Sequence, residues 1–466
     1  MRSWRWLGFL ILSATAFGQN AREVFEKAVQ ALGDPGGVLH TRDIDAVEQN
    51  YQSAPPFITF FNSHESWFDP KTGVERIATE SRVPGSPPFD RGTALNTRDG
   101  VYAVRDSAIT RSPGVPGSGR KLNAWAVLAD WRAASDVALG HETVFQGYPR
   151  TVLTHRGEFG EERLFLDPKT YLPVKLDREE PHYLWGQVHV EYEYLLWRRI
   201  SGAMIPVSCA RVVDGFKEIS RTVGLAEWID SGAAPSLAVP ALPAPAGDAT
   251  PLFLQPIEVK TVDVAPGTFL TTNPGYTEGF TRIGDTVYVL DATQGERRAE
   301  QDLAWIEKTF GRGLKLVVVV TDLAWPHVAG VRFWVAQGAT IVSHRESKDF
   351  LARVVAHRWT RAPDLLERRR SGVKFRFVPV DRSLDLGGGQ LRLFAIDGIG
   401  SEGALMAWRP DQRFLWASDY IQSVTAPAAY TDEVCAAVKR SAISPERVAA
   451  QHIPLTPWST VAKLCR

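Results

Sequence analysis

The stretch from Asp397 to Asp419 concentrates groups that chemistry could use. Gly398-x-Gly400-x-x-Gly403 has the spacing of a dinucleotide-binding loop, and an acidic residue, Asp419, follows about 20 residues on. Such a loop opens a helix. Here Pro410-Asp411-Gln412 reads as a turn between two short strands, so the context fails. Ser401 beside Glu402, and Ser418 beside Asp419, pair a hydroxyl with a carboxylate, but neither sits in a Gly-x-Ser-x-Gly elbow. Three cysteines are present, Cys209, Cys435 and Cys465. A Cys435–Cys465 bridge and three buried free thiols both stand open. His40, His64, His141, His155, His182 and His189 show no metal-ligand spacing, and His344 and His357 read as structural or surface residues.

The elements that must position these groups fall into two kinds. Residues 21–33 form an amphipathic helix, with Val24, Phe25, Ala28, Val29 and Leu32 at helical spacing and Gly33 as its stop. Short alternating segments follow, such as Val101–Val104, Thr151–Thr154, Glu162–Leu166, Val188–Tyr194 and Ile219–Val223. Asp-Pro-Lys-Thr occurs at Asp69–Thr72 and at Asp167–Thr170, and both read as hairpin tips. One helical segment, Asn123–Leu139, interrupts this β-meander. From Ser231 to about Thr250 the chain is Ala/Pro-rich and almost uncharged, which suits an extended linker. Strands and helices then alternate. Thr286–Leu290 ends at Asp291, Glu296–Phe310 is a helix, and Leu316–Val320 is an apolar strand buried on both faces. A loop at Thr321–Pro326 leads into a helix from His327 to about Gln337, stopped by Gly338. A second wave of strands includes Lys374–Val380, Gln390–Ile396, Gly403–Trp408, Arg413–Ala417 and Val448–Ile453, with Gly387-Gly388-Gly389 as a hairpin turn.

The fold class is therefore α+β in two domains. Residues 1–18 are a signal peptide, 19–230 a β-rich domain, 231–252 the linker and 253–466 a second domain. The signal peptide rests on Arg2 and Arg5, an apolar run from Trp6 to about Phe17, and small residues at Ala16 and Gly18. That run is shorter than the roughly 20 residues that span a bilayer, and no later stretch is longer, so no stable membrane span is expected. The mature protein is expected in the periplasm or outside the cell. Net charge is zero, which gives no electrostatic case for nucleic acid. Arg368-Arg369-Arg370 reads as a solvated helix end.

The region from about residue 255 onward resembles the metallo-β-lactamase superfamily. The family signature is a buried strand, then Thr-His-x-His-x-Asp-His, then a helix. Here the stretch reads TDLAWPHVAG, Thr321–Gly330. Asp322 and Ala324 fall on the first two His positions, Pro326 on the Asp position, and His327 on the final His. Gly400 falls on a later His, in DGIGSEGALMAW. Asp419 matches the Asp shared by two metals, and His452 matches the last His. The resemblance implies an αββα sandwich with loops converging on one cleft. It also implies a lopsided loss: one metal site is dismantled at Asp322, Ala324 and Gly400, while His327, Asp419 and His452 survive from the other. Two His and a carboxylate form a minimal set for one divalent metal, zinc first. Asp322 is then a candidate fourth ligand or catalytic base. A chain with no metal, in which these residues only stabilise loops, is the other open reading. The first domain resembles the lipoprotein-carrier fold of bacterial envelopes, one helix and a curved antiparallel sheet. That implies a scaffold or a surface for a lipid-like ligand. The functions in view are thus an exported single-metal hydrolase, a catalytically silent binding protein, and a carrier of a small-molecule or lipid-like ligand.

Overall fold

The computed structural model describes residues 20–48, 59–82, 88, 90–98, 100–105, 108–112, 118–157, 159–239, 257–273, 276–398, 401, 403–425 and 430–465. The stretch expected to be a signal peptide, Gly400, Glu402 and most of the expected linker lie outside them. Among the described residues, no helix is long and apolar enough to cross a membrane.

The first part of the chain is a fourteen-stranded sheet that packs against two longer helices, with the four-residue helix Ser118–Lys121 beside them. The helix Ala21–Ala31 starts where the Asn20 side chain accepts from Arg22 N–H at 3.0 Å, and it buries Val24, Phe25 and Ala28. Gly33 ends it at φ 90°, where a Cβ would meet Gly202 O at 2.5 Å. The second helix, Ala124–Arg132, is capped by Asn123 and sets Trp125, Leu128 and Trp131 into the same core as Leu164, Tyr192 and Tyr194. It is shorter than the expected Asn123–Leu139. Asp136 accepts from His155 Nδ1 (2.5 Å) and Arg156 N–H (2.8 Å), which draws the chain onto the sheet, and Ala138–Leu139 pairs there as an edge strand. The face that carries Tyr192 also carries buried and half-buried ion pairs. Arg221 Nε donates to Asp45 at 2.7 Å, and Arg211 donates to Glu180 at 2.9 Å.

The second part holds a seven-stranded and a six-stranded sheet. The first runs in chain order from Lys260–Ala265 to Arg376–Val380. Its strands Thr286–Leu290, Lys315–Val320, Thr340–His344 and Arg376–Val380 lie parallel. Parallel pairing requires crossovers, and the helices Glu296–Phe310, Val331–Ala336 and Lys348–Ala356 supply them. The second sheet runs from Ser383–Leu386 to Ile453–Pro457. Side chains of both sheets meet in one core: Leu290, Val319 and Val342 against Leu393, Leu405 and Trp416. A separate cluster joins the other face of the six-stranded sheet to the helix Thr431–Arg440, through Met406, Leu415, Val434 and Val438. Cys435 is disulfide-bonded to Cys465, with Cα atoms 6.0 Å apart. Cys209 is a buried free thiol, pushed up to about 12 by burial.

Two expected elements are divided. The helix from His327 to Gln337 is two, Trp325–Val328 and Val331–Ala336. Between them Gly330 N–H donates to Ala292 O (2.7 Å), while Ala292 N–H donates to His327 O (3.1 Å). That backbone clasp breaks the helix. The strand expected at Val448–Ile453 is Arg447–Ala450 and Ile453–Pro457, with a turn at Gln451-His452. Gln451 N–H donates to Ser418 O (2.9 Å) and Gln451 O accepts from Thr277 N–H (2.8 Å), so the chain leaves its own ladder here.

The two parts touch through the hairpin between Pro173–His182 and Gly186–Ile200. Its tip residue Trp185 lies edge-on to Phe350, centroids 6.1 Å apart, and 5.2 Å from the His357 ring. Trp359 Nε1–H donates to Leu184 O at 3.3 Å. A single apolar core consequently runs from Val24 through Trp185 and Phe350 to Leu366.

Candidate metal centre

Three strand ends are tied together by one carboxylate. Asp291, at φ 71°, closes the strand Thr286–Leu290. It accepts from Thr321 N–H (2.7 Å) and from Trp416 Nε1–H (2.9 Å). These bonds fix the loops that leave Val320 and Trp416, and those loops carry His327 and Asp419. Burial pushes the Asp291 carboxyl up, against the hydrogen bonds that stabilise its charge. In the sequence Asp291 marks only a strand end; an acidic residue closing a buried apolar strand is the signal for its role.

His327 is buried on the short helix. Its Nδ1 lies 2.7 Å from Asp322 Oδ1 and its Nε2 lies 3.8 Å from Asp419 Oδ1. Asp322 is itself fixed, with Oδ1 accepting from Ala324 N–H (2.6 Å) and Oδ2 from the Tyr420 hydroxyl (2.8 Å). Burial disfavours charge on Asp322, but the bond to His327 and the other donors outweigh it and hold its carboxyl below the usual range. Burial likewise opposes a proton on His327. Asp419 and Asp322 outweigh it and lift the imidazole to about 9. Asp419 Oδ1 also lies 2.9 Å from His452 Nε2 and accepts from Gln422 Nε2–H at 2.7 Å. His452 is the accessible member: its side chain is 29% exposed against 2% for His327. Tyr276 packs over both imidazoles, 5.2 Å from the His452 ring and 6.2 Å from that of His327. Tyr276, Tyr420 and Gln422 were not legible in the sequence, because no spacing marks residues that only support others.

The ligand atoms of His327, Asp419 and His452 all lie within 4.8 Å of one another. A tetrahedral zinc with bonds of about 2.1 Å keeps its donors about 3.4 Å apart. The observed separations of 2.9 and 3.8 Å straddle that value, so two imidazole nitrogens and a carboxylate oxygen fit one such ion. Asp322 is not among the three. Both its oxygens are engaged inside the protein, and Ala324 has no ligating atom.

Asp177, His189 and Glu191 form a second group of the same compactness. In the sequence His189 has no ligand spacing. The partners meet because Asp177 pairs with Glu191 across two strands. Lys175 Nζ already lies 2.9 Å from Asp177 and 2.5 Å from Glu191, which balances these carboxylates. Ser401 donates to Glu433, and the Ser418 hydroxyl accepts from Thr321 Oγ1 at 2.8 Å. Both hydroxyls are thus engaged by other elements of the same domain.

No family model matches the chain, and no curated protein matches it. Solved structures similar to it include a metallo-β-lactamase from Pontibacter korlensis, 16% identical, with 44% of this chain and 96% of that chain covered at a TM-score of 0.35. The DIM-1 metallo-β-lactamase is 14% identical over 45% of this chain and 96% of its own, also at 0.35. A LolA-superfamily protein from Nitrosomonas europaea is 12% identical, with 46% of this chain and 94% of that chain covered at 0.35.

Proposed function

We propose that this is an exported protein whose C-terminal domain is of the metallo-β-lactamase type and works as a single-metal hydrolase. In this reading His327, Asp419 and His452 hold one divalent ion, zinc first, and the substrate is an ester, lactone, amide or phosphoester. One observation carries it: three side chains from three separate loops converge with ligand atoms within 4.8 Å. The ion supplies Lewis acidity and makes water deprotonation accessible near neutral pH. The chain supplies the rest. Asp322 orients the His327 ring through Nδ1, and Tyr420 and Ala324 N–H hold Asp322. Gln422 orients Asp419. Asp322 acts as a positioning residue here, because its oxygens are occupied. Metal analysis tests the reading. Full-length protein loaded with zinc and dialysed is expected to retain about one ion per chain, and His452→Ala to lose most of it. Equal, substoichiometric metal in both proteins overturns it.

A second reading, a catalytically silent binding protein, is favoured by the closed network Tyr420–Asp322–His327–Asp419–His452. These groups satisfy one another without an ion. Chelator-sensitive hydrolysis of a generic ester separates the two readings, since the silent protein turns over nothing with any added metal. A chromogenic β-lactam is expected to resist both. A lipid-carrying role for the N-terminal sheet finds less support, because Asp45, Arg221 and Arg211 are buried on the face that an acyl chain would need.

A further inference from the structure

We propose a second reactive site, on the fourteen-stranded sheet: Thr79 is a nucleophile served by His64 as base, with Asp45 positioning the ring, and its substrate is a small acyl ester. The site shares no residue with the metal centre and stands independently of it.

Strand register brings these residues together. Thr79 on Val74–Arg82 lies opposite His64 on Thr59–Asp69, and His64 lies opposite Asp43 on Val38–Glu48. Asp45, two residues on, shares that face and lies opposite Arg221 on Phe216–Ile229. Hydrogen bonds run along the row. Arg221 clamps both oxygens of Asp45, at 2.7 and 2.9 Å. Burial opposes charge on Asp45, but Arg221 and His64 outweigh it and hold the carboxyl well below its usual range. An ionised carboxylate only accepts, so His64 Nε2, 3.0 Å from Asp45 Oδ2, carries the ring proton. Nδ1 then turns its lone pair to Thr79 Oγ1, also at 3.0 Å. A hydroxyl, an imidazole base and a buried carboxylate that fixes the tautomer are the parts of a catalytic triad, which is recognised by geometry and roles. Here Nδ1 rather than Nε2 is the base; either nitrogen serves once the other is tied to a carboxylate.

Exposure rises towards the nucleophile. The Asp45 and His64 side chains are 4% and 8% exposed, whereas Thr79 is half-buried. Gly92, opposite Thr79 on Asp90–Thr97, is exposed, and a Cβ there would meet nothing within 4 Å. The missing side chain leaves room beside the hydroxyl. Two polar groups of the same face also want partners. Asp43 is buried, and its Oδ1 has no hydrogen-bond partner among the described residues. Asn62, opposite Asp45, accepts from Ser81 through Oδ1 at 2.7 Å, which leaves its amide N–H groups free to donate. Such surroundings suit a short, polar acyl group and not a fatty chain. In the reaction, Thr79 Oγ1 bonds to the acyl carbon while its proton passes to His64 Nδ1. The ester C–O bond breaks, and the leaving alcohol takes that proton. Water then attacks the acyl-threonine by the same route and releases the acid.

The test reads Thr79 directly. Full-length protein, kept in chelator, is mixed with p-nitrophenyl acetate and quenched at short times. Peptide mass spectrometry is expected to find an acetyl group on Thr79, alongside a burst of p-nitrophenolate. Thr79→Val, which keeps the side-chain shape and loses the hydroxyl, is expected to abolish the burst, and Thr79→Ser to keep it. His64→Gln is expected to slow acetylation at this position about 100-fold. The two Thr79 variants carry the test if His64→Gln does not fold. Wild-type protein without acetyl on Thr79, an undiminished burst in Thr79→Val, or an undiminished rate at Thr79 in folded His64→Gln overturns the site. The chelator strips the other centre, so failure of the metal reading would appear separately, as absent zinc with Thr79 still acetylated.

Discussion

Each side chain of the centre is held by a partner whose removal has a definite cost. Asp322→Ala leaves the buried His327 without its Nδ1 partner. We expect a loss of about 3 kcal/mol in chemical denaturation and a 10- to 100-fold weaker zinc affinity; unchanged affinity would make Asp322 irrelevant to ring orientation. His182 offers a separate reading of buried charge. Burial, with Arg211 and His357 nearby, pulls it down to about 3 against the pull of Glu180. Its Nδ1 accepts from Leu184 N–H at 3.1 Å, a bond that only the neutral ring can make. The unfolded chain takes up the proton near the ordinary pKa of about 6.5. This residue therefore lowers stability as pH falls from there towards 3, by about 1.4 kcal/mol per unit, and contributes nothing above it. Between pH 7 and pH 5 the wild type should lose about 2 kcal/mol more than His182→Asn, measured by urea midpoints. At this scale the sequence singled out His327, Asp419 and His452, whose ligand atoms the fold brings together. Asp291, Tyr276 and Gln422 escaped it because their value lies in contacts made by loops distant in sequence.

Elements were legible where periodicity was long and illegible where backbone bonds to a neighbouring loop overrode it. The apolar strand ending at Val320 and the helix Glu296–Phe310 stand within a residue of their expected positions. The break at Gly330 and the turn at Gln451-His452 do not show in a hydrophobic pattern, since both are imposed by hydrogen bonds across the site. Gly186 tests the hairpin as an element. Gly186→Ala adds a Cβ against the Trp359 ring at a positive φ. It is expected to cost about 2 kcal/mol and to change the tryptophan emission of the folded protein; a silent substitution would mean that the hairpin is free to shift. The sequence leaves a Cys435–Cys465 bridge and three free thiols both open, and the structure joins Cys435 to Cys465, 30 residues apart. The bond ties the helix Thr431–Arg440 to the last turn of the chain. Its reduction should lower stability by about 3–4 kcal/mol if the closed loop acts chiefly on the unfolded state.

For the molecule as a whole, the Ala/Pro-rich stretch marked a change of character, yet nothing in the sequence announced that the two parts share a core. Trp185, Phe350 and Trp359 have no periodic relation to one another; they meet only after both parts have folded. Because that core is continuous, calorimetry of the full chain should give one cooperative transition, whereas two separated transitions would show that the hairpin contact is weak. The large sheet has a further consequence of its own. It consists of two runs of neighbouring hairpins, joined where Val38–Glu48 pairs with Phe216–Ile229. Every other pairing in it is local and forms early, but Val38 must wait for Ile229. During synthesis the first run therefore stands with a bare edge while the rest of the domain is translated. That seam, rather than the part of the molecule that carries His327, Asp419 and His452, is where a nascent chain is open to association with its neighbours.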